Sequence, residues 1–435
     1  MLIEFKVGNF LSFKETVTFS MVASDIDSQD SDLDANSVFS INKELNLLKT
    51  SAIYGANASG KSNLAKAFGF MKNFVINSSK EMQVTDTIDV EVFRLSSEMS
   101  GLPSFFEITF FVNQKIYRYG FQITTEEIVK EWLYCTSKTR EFNLFKRNKK
   151  DITISKKYFG EGQGLEQRTK QNSLFLSVSA QFNVKLSEQL LEWFADLRLL
   201  SGESSSEHFY SNTTLKLLES PKMKQDVIGL IKELDLSISD ISIKKMSPED
   251  LPQNRPEEMK RAILSLPNYK YQVQTFHDKY NKKGELIGQE QFDLDESESE
   301  GTKKVFYLSL LLLNALRNRQ ILVIDELDAK LHPLITHKIV QLFNSQEYNP
   351  HSAQLIFMIH DTNLLNTSLF GSRLLRRDQV WFTEKNQQGA TDLYSLAEYD
   401  IREDSPFEAD YIHGKYGAIP FIGGFSKLLG NLKND

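Results

Sequence analysis

Residues Gly55-Ala56-Asn57-Ala58-Ser59-Gly60-Lys61-Ser62 spell a complete phosphate-binding loop. A short apolar run (Ser51 to Tyr54) precedes it and a helical pattern (Asn63 to Val75) follows. The motif works only in that strand–loop–helix setting, which commits the chain to an α/β core with a parallel sheet. The glycines let backbone N–H groups curl around a triphosphate, and the helix N-terminus behind them favours negative charge. Gly55, Asn57, Ser59, Gly60 and Asn63 are therefore expected to line a nucleotide, with Lys61 reaching its outer phosphates. The Ser62 hydroxyl is expected to ligate Mg²⁺.

A loop of this kind needs a second half to become an ATPase site. Ile321-Leu322-Val323-Ile324-Asp325-Glu326 has the form of a buried strand ending in two carboxylates. Asp325 is expected to hold the Mg²⁺ shell and Glu326 to polarise the attacking water as general base. A third apolar strand, Leu355 to Ile359, ends in His360, which is placed to hydrogen-bond the terminal phosphate and sense its loss. Upstream, Ser299-Glu300-Gly301-Thr302 precedes a long apolar helix starting near Lys303, and a serine and glycine there can cap an anion. Taken alone, these last two segments read more readily as a structural histidine and a simple helix cap.

The order of the motifs resembles the ATP-binding-cassette class, in the branch with SMC, RecF and OLD-type proteins. Leu327-Asp328-Ala329 resembles that class's D-loop, and Phe5-Lys6-Val7-Gly8-Asn9-Phe10-Leu11-Ser12-Phe13 its N-terminal strand pair. Tyr117 to Phe121, Asn172 to Ser177, Leu327 to Pro333, Leu375 to Phe382 and Tyr411 to Pro420 extend the resemblance to stand-alone bacterial AAA-family ATPases. These include the ATPase halves of phage-defence and abortive-infection systems of the AbiL, RloA/RloB and PARIS kinds. The resemblance implies an ATPase head with a mixed β lobe and a parallel-sheet core, interrupted by a helical insertion. On that plan residues 1–180 form the first half of the head, 181–265 the insertion and 266–435 the second half. It also implies composite sites, in which ATP on one subunit's loop is capped by Ser299 and Gly301 of another, with Asp328 along the interface. The implied assembly is a homodimer or a higher even-numbered homo-oligomer. Where transporters usually carry Ser-Gly-Gly-Gln, this chain has Glu300, whose charge near the γ-phosphate is expected to slow hydrolysis or make it depend on a partner. The glutamine of the family's Q-loop has no assigned position.

The rest of the chain is consistent with a globular protein of more than one lobe. It has 435 residues, of which 40% are hydrophobic and 25% charged. The longest apolar run, Val305 to Leu316, is too short to span a bilayer and fits a buried helix. One cysteine, Cys135, and an N-terminus without a secretory pattern fit the cytoplasm, with no membrane partner. A net charge of −7 gives no global pull toward DNA, and the basic clusters at 146–150 and 279–283 read as solvated loops. Residues 1–20 read as two or three strands and 24–37 as an acidic exposed loop. Strand-like segments lie at 89–94, 105–112, 115–123, 128–135 and 142–147. Residues 184–235 have helical spacing, with Leu186, Leu190, Trp193 and Leu197 on one face. Residues 247–255 read as a linker.

Effector chemistry is expected elsewhere. The scattered acids Asp378, Glu384, Asp392 and Asp400 read as surface rather than as a Toprim cluster. Pro333 makes His332 a helix start rather than a metal ligand. The reading is thus an ATP-binding and hydrolysing sensor or scaffold in anti-phage defence, with a phage-encoded trigger and a separate Toprim- or RloB-like nuclease as effector. The alternative is a RecF-like repair ATPase that clamps DNA. A transporter subunit is disfavoured by the long stretch between Lys61 and Asp325.

Overall fold

The structure is a computed structural model that describes residues 1–421 except 27–29, 138–139, 201–214, 235–236, 252–255, 266–270 and 403–404. Two large sheets organise it. The first is antiparallel and seven-stranded. In spatial order its strands are Asp151–Ile154, Arg140–Asn148, Ile128–Ser137, Lys115–Ile123, Ser104–Val112, Leu2–Gly8 and Val17–Ser20. Period-two alternation builds it: Phe106, Ile108 and Phe110 turn inward beside Tyr117, Tyr119 and Phe121 of the neighbouring strand. The inward face packs on the helix Lys61–Asn77, where the Phe5 and Phe68 rings stack at 3.9 Å.

The second sheet carries the phosphate loop. Its order is Leu197–Leu200, Ile321–Ile324, Gln354–Met358, Thr50–Tyr54, Val380–Lys385 and Thr391–Ser395. The first five run parallel and the last is antiparallel. Strands 321–324, 354–358 and 50–54 are buried throughout, as the continuous apolar runs require of a sheet covered on both faces. The helices Glu300–Asn318 and Pro333–Phe343 contribute to the core on one side of this sheet. The run Val305–Leu316 lies inside the first of these helices, as a buried segment. Among the described residues, no helix is long and apolar enough to cross a membrane.

Several expectations change. Residues 31–37 form a helix, not a loop: Asp30 accepts from the N–H groups of Asp32 and Leu33, and Asp34 pairs with Arg376. Asp378 is buried rather than on the surface, because it is the other partner of Arg376 at 2.9 Å. Residues 89–94 join no strand. Phe93 N–H donates to the Asn9 side chain and Glu91 O accepts from Leu11, so local partners replace a ladder. Leu197 does not continue the helix Lys185–Asp196 but opens the edge strand that pairs with Ile321–Ile324.

The stretch 181–265 also contributes a strand, Ile238–Lys245. It pairs with Tyr271–Tyr280, which pairs in turn with Leu286–Asp293. This three-stranded sheet and the helix Pro221–Glu233 share a small core with Phe306 and Leu310 of the helix Glu300–Asn318. Of the expected linker, Pro248–Asp250 is a short helical turn, and 252–255 lie outside the described residues.

Candidate functional site

The parallel strands aim their C-terminal ends at one cleft, the usual place for a ligand in an open α/β sheet. The cleft holds about 860 Å³. Asn57, Ser59, Gly60, Lys61, Ser62 and Asn63 line one wall, and Glu326, Asp328 and His360 the other. Residues separated by three hundred positions in sequence thus meet in one cleft.

Loop geometry follows from residue type. Gly60, the residue before the helix, sits at φ 117°, where a side chain is strained, and an added Cβ would run into the Thr391 side chain. Gly55 does not line the cleft, but its carbonyl accepts from Lys61 Nζ at 2.6 Å, and Ala56 O accepts from the same ammonium at 3.1 Å. Lys61 is buried, and burial lowers its pKa from 10.5 to about 8 despite the nearby Asp325, Asp328 and Glu326 carboxylates. The Ser59 hydroxyl is shared with Thr383 Oγ1 at 2.6 Å, and the Asn63 amide donates to Ser12 Oγ at 2.7 Å. Those two side chains therefore brace the loop.

Asp325 lies beneath the cleft. Burial raises its carboxyl above the ordinary carboxylate range, with Ser62 opposing as a hydrogen-bond donor. Its Oδ1 is buried with no hydrogen-bond partner among the described residues. A carboxylate oxygen left open beside a serine hydroxyl is the hard-oxygen donor set that Mg²⁺ takes, so Ser62 and Asp325 fit the ion. Bound there, the metal would supply charge stabilisation at the transferring phosphate.

Glu326, a non-glycine residue, is held at φ 54°, a conformation that costs energy and clusters at functional sites. Asp328 Oδ2 accepts from the backbone N–H groups of His360 at 3.0 Å and Asp361 at 2.8 Å, tying the turn after the Asp-Glu strand to the end of the His360 strand. The cleft walls and then the Lys61 ammonium lower the His360 pKa, so the imidazole is neutral at pH 7 and able to accept or donate.

Ser299 and Gly301 do not line this cleft. Ser299 caps the helix Glu300–Asn318 by accepting from Thr302 N–H at 3.1 Å, an exposed arrangement. Glu300 is not an uncompensated charge: it pairs with Lys303 at 3.0 Å and Lys330 at 3.1 Å, which hold its carboxyl below the usual range. His332 caps the helix Pro333–Phe343 through Nδ1, as its position before a proline implied.

Three features escaped the sequence. Lys385, at the end of the strand Val380–Lys385, lines the cleft and also an adjoining recess of about 250 Å³ walled by Leu11, Ser12, Val92, Phe93 and Arg94. Ser12 sits at the hinge of that recess, accepting from Thr391 Oγ1 at 2.8 Å. Lys304 reaches back to the Asp-Glu turn. No local pattern marks any of them, since each acts through a partner distant in sequence.

A family model described as "AAA domain, putative AbiEii toxin, Type IV TA system" matches residues 51–366. No curated protein matches the chain significantly. Among solved structures, the SMC head domain from Thermotoga maritima is 14% identical, with 91% of this chain and 98% of that one covered at a TM-score of 0.39. The Smc head domain with a coiled coil and joint from Pyrococcus yayanosii is 10% identical, covering 95% and 99% at 0.40. The recombination mediator protein RecF–ATPrS of the RecFOR pathway is 15% identical, covering 90% and 98% at 0.31.

Proposed function

On the premise that the chain belongs to the AAA-domain family described as putative AbiEii toxin, we propose that it is an ATP hydrolase whose nucleotide sites are completed by a second copy. One observation carries this. The phosphate loop, Glu326 and His360 line one cleft, with Asp325 beside Ser62, while Ser299 and Gly301 do not line it. On this reading Ser299 and Gly301 cap the nucleotide of a second copy. Two ATP molecules then hold two heads together, and hydrolysis parts them.

Within the site, Lys61 would compensate charge on the outer phosphates, and Ser62 with Asp325 would hold Mg²⁺. Glu326 takes the proton of the attacking water and His360 contacts the terminal phosphate. The output is control of assembly. The role proposed for it is a sensor and scaffold subunit of an anti-phage system, bound to a separate toxic effector and released by a phage-encoded trigger. The family description, which names a toxin and a toxin–antitoxin system, supports a two-component setting.

The test is the mass of the Glu326→Gln protein with and without Mg·ATP. The reading expects an ATP-dependent dimer that Lys61→Ala abolishes; a protein that stays monomeric with ATP bound overturns it. Salt-sensitive DNA binding by the dimer would instead favour a DNA clamp.

A further inference from the structure

The turn carrying Glu326 is bolted to the helix that carries the nucleotide cap. Lys304 stands one helical turn beyond Glu300. Its ammonium donates to Glu326 O at 2.8 Å and to Ala329 O at 2.7 Å. The same turn returns the contact, because Lys330 Nζ donates to Glu300 Oε2 at 3.1 Å. Between these links the backbones nearly touch: a Cβ added at Gly301 would stand 2.9 Å from Lys330 O. Glu326 and Lys330, which bracket the turn, sit at φ 54° and φ 62°. Two residues in the left-handed region persist only where surroundings over-determine them, and here Lys304 fastens the turn on one side and Asp328 on the other.

We infer that Lys304 is a positioning residue, reinforced by the Glu300–Lys330 pair, that makes the cap and the Glu326 turn of one chain a single moving unit. The inference rests on the composite-site reading. In a pair of heads, the cap of one protomer closes on its partner's nucleotide while its own Glu326 serves its own nucleotide. Closing one site therefore seats the base of the other, and the two sites fire together. Glu300, which departs from the transporter pattern, is the residue that makes the second link.

The experiment uses the full chain in two backgrounds. In Glu326→Gln, adding Lys304→Met should weaken the ATP-dependent dimer about tenfold, within the usual range of coupling between sites, while affinity of the monomer for ATP stays within about twofold. In the wild-type background Lys304→Met should lower kcat about 100-fold, as a misplaced base does. The Hill coefficient for ATP should fall from about 2 to about 1. Lys330→Met, at a half-exposed position, should lower both the Hill coefficient and kcat, each by less than Lys304→Met does. Lys304→Arg, which keeps the donor, should restore part of the dimer.

If Glu326→Gln dimerises with ATP but Lys304→Met leaves dimer affinity, kcat and Hill coefficient unchanged, the linkage is wrong and the composite site stands. If Glu326→Gln never dimerises, both readings fall.

Discussion

Replacing Lys61 by methionine should abolish nucleotide binding and yet stabilise the fold. The lysine is only 5% exposed, and burial lowers its pKa from 10.5 to about 8. At about 1.4 kcal/mol per pH unit, keeping that ammonium charged inside the fold at pH 7 costs about 3 kcal/mol. Methionine keeps the methylenes and drops the charge. It forfeits the hydrogen bonds to Gly55 O and Ala56 O, together about 1–2 kcal/mol net, so the variant gains about 1–2 kcal/mol at pH 7.

The sign fixes a pH signature. The folded pKa lies below the unfolded one, so the penalty is complete below about pH 8 and disappears as pH rises toward 10.5. By pH 10 the wild-type penalty is below about 1 kcal/mol, and the variant's advantage should shrink by about 2 kcal/mol. Urea midpoints at pH 7 and pH 10 measure this, alongside Mg·ATP, which should raise only the wild-type midpoint. A variant less stable than wild type at both pH values, with no pH-dependent difference, refutes the reasoning.

Two other variants probe parts remote from the phosphates. Glu131 is fully buried and accepts from the N–H groups of Phe175 at 2.7 Å and Leu176 at 3.0 Å beside the buried Arg147 guanidinium. Glu131→Leu should therefore cost about 3–5 kcal/mol in urea unfolding. Glu298, just before the cap, accepts from Thr275 Oγ1 at 2.5 Å and contacts His277 Nε2 at 2.7 Å, so it anchors the cap to the three-stranded sheet. Glu298→Ala should weaken the ATP-dependent dimer of Glu326→Gln about tenfold without altering monomer affinity for ATP; unchanged dimer affinity would show the anchor to be irrelevant.

What could be read from sequence was whatever depends on neighbours in the chain. The phosphate loop, the Asp325-Glu326 strand and the apolar helix through Leu310 are local patterns, and all lie where expected. The alternating strands at 115–123 and 128–137 are legible for the same reason. Leu197 misleads because it continues the spacing of Leu190 and Trp193. Only pairing with Ile321, more than a hundred residues on, turns it into a strand. Asp30 to Ser37 looks like a polar loop because the arginine that fastens it, Arg376, lies 342 residues beyond its partner Asp34. The charge of Glu300 was visible, but its neutralisation by Lys330 was not, since no pattern links two polar residues thirty positions apart.

Three unfavourable groups meet at the cleft. Lys61 is a buried ammonium, Asp325 carries a buried oxygen with no hydrogen-bond partner among the described residues, and Glu326 holds a left-handed backbone. Phosphate would compensate the first and Mg²⁺ the second, while the third is fastened by Lys304 and Asp328 on either side. A site assembled from groups that are unfavourable alone gains more from its ligand than contacts to the ligand would suggest, because binding also removes penalties already present. The heads should therefore stiffen as they load. The stiffening should be greatest at the Glu326 turn, which touches the cleft on one side and the cap on the other. That is the property the proposed control of assembly by nucleotide requires.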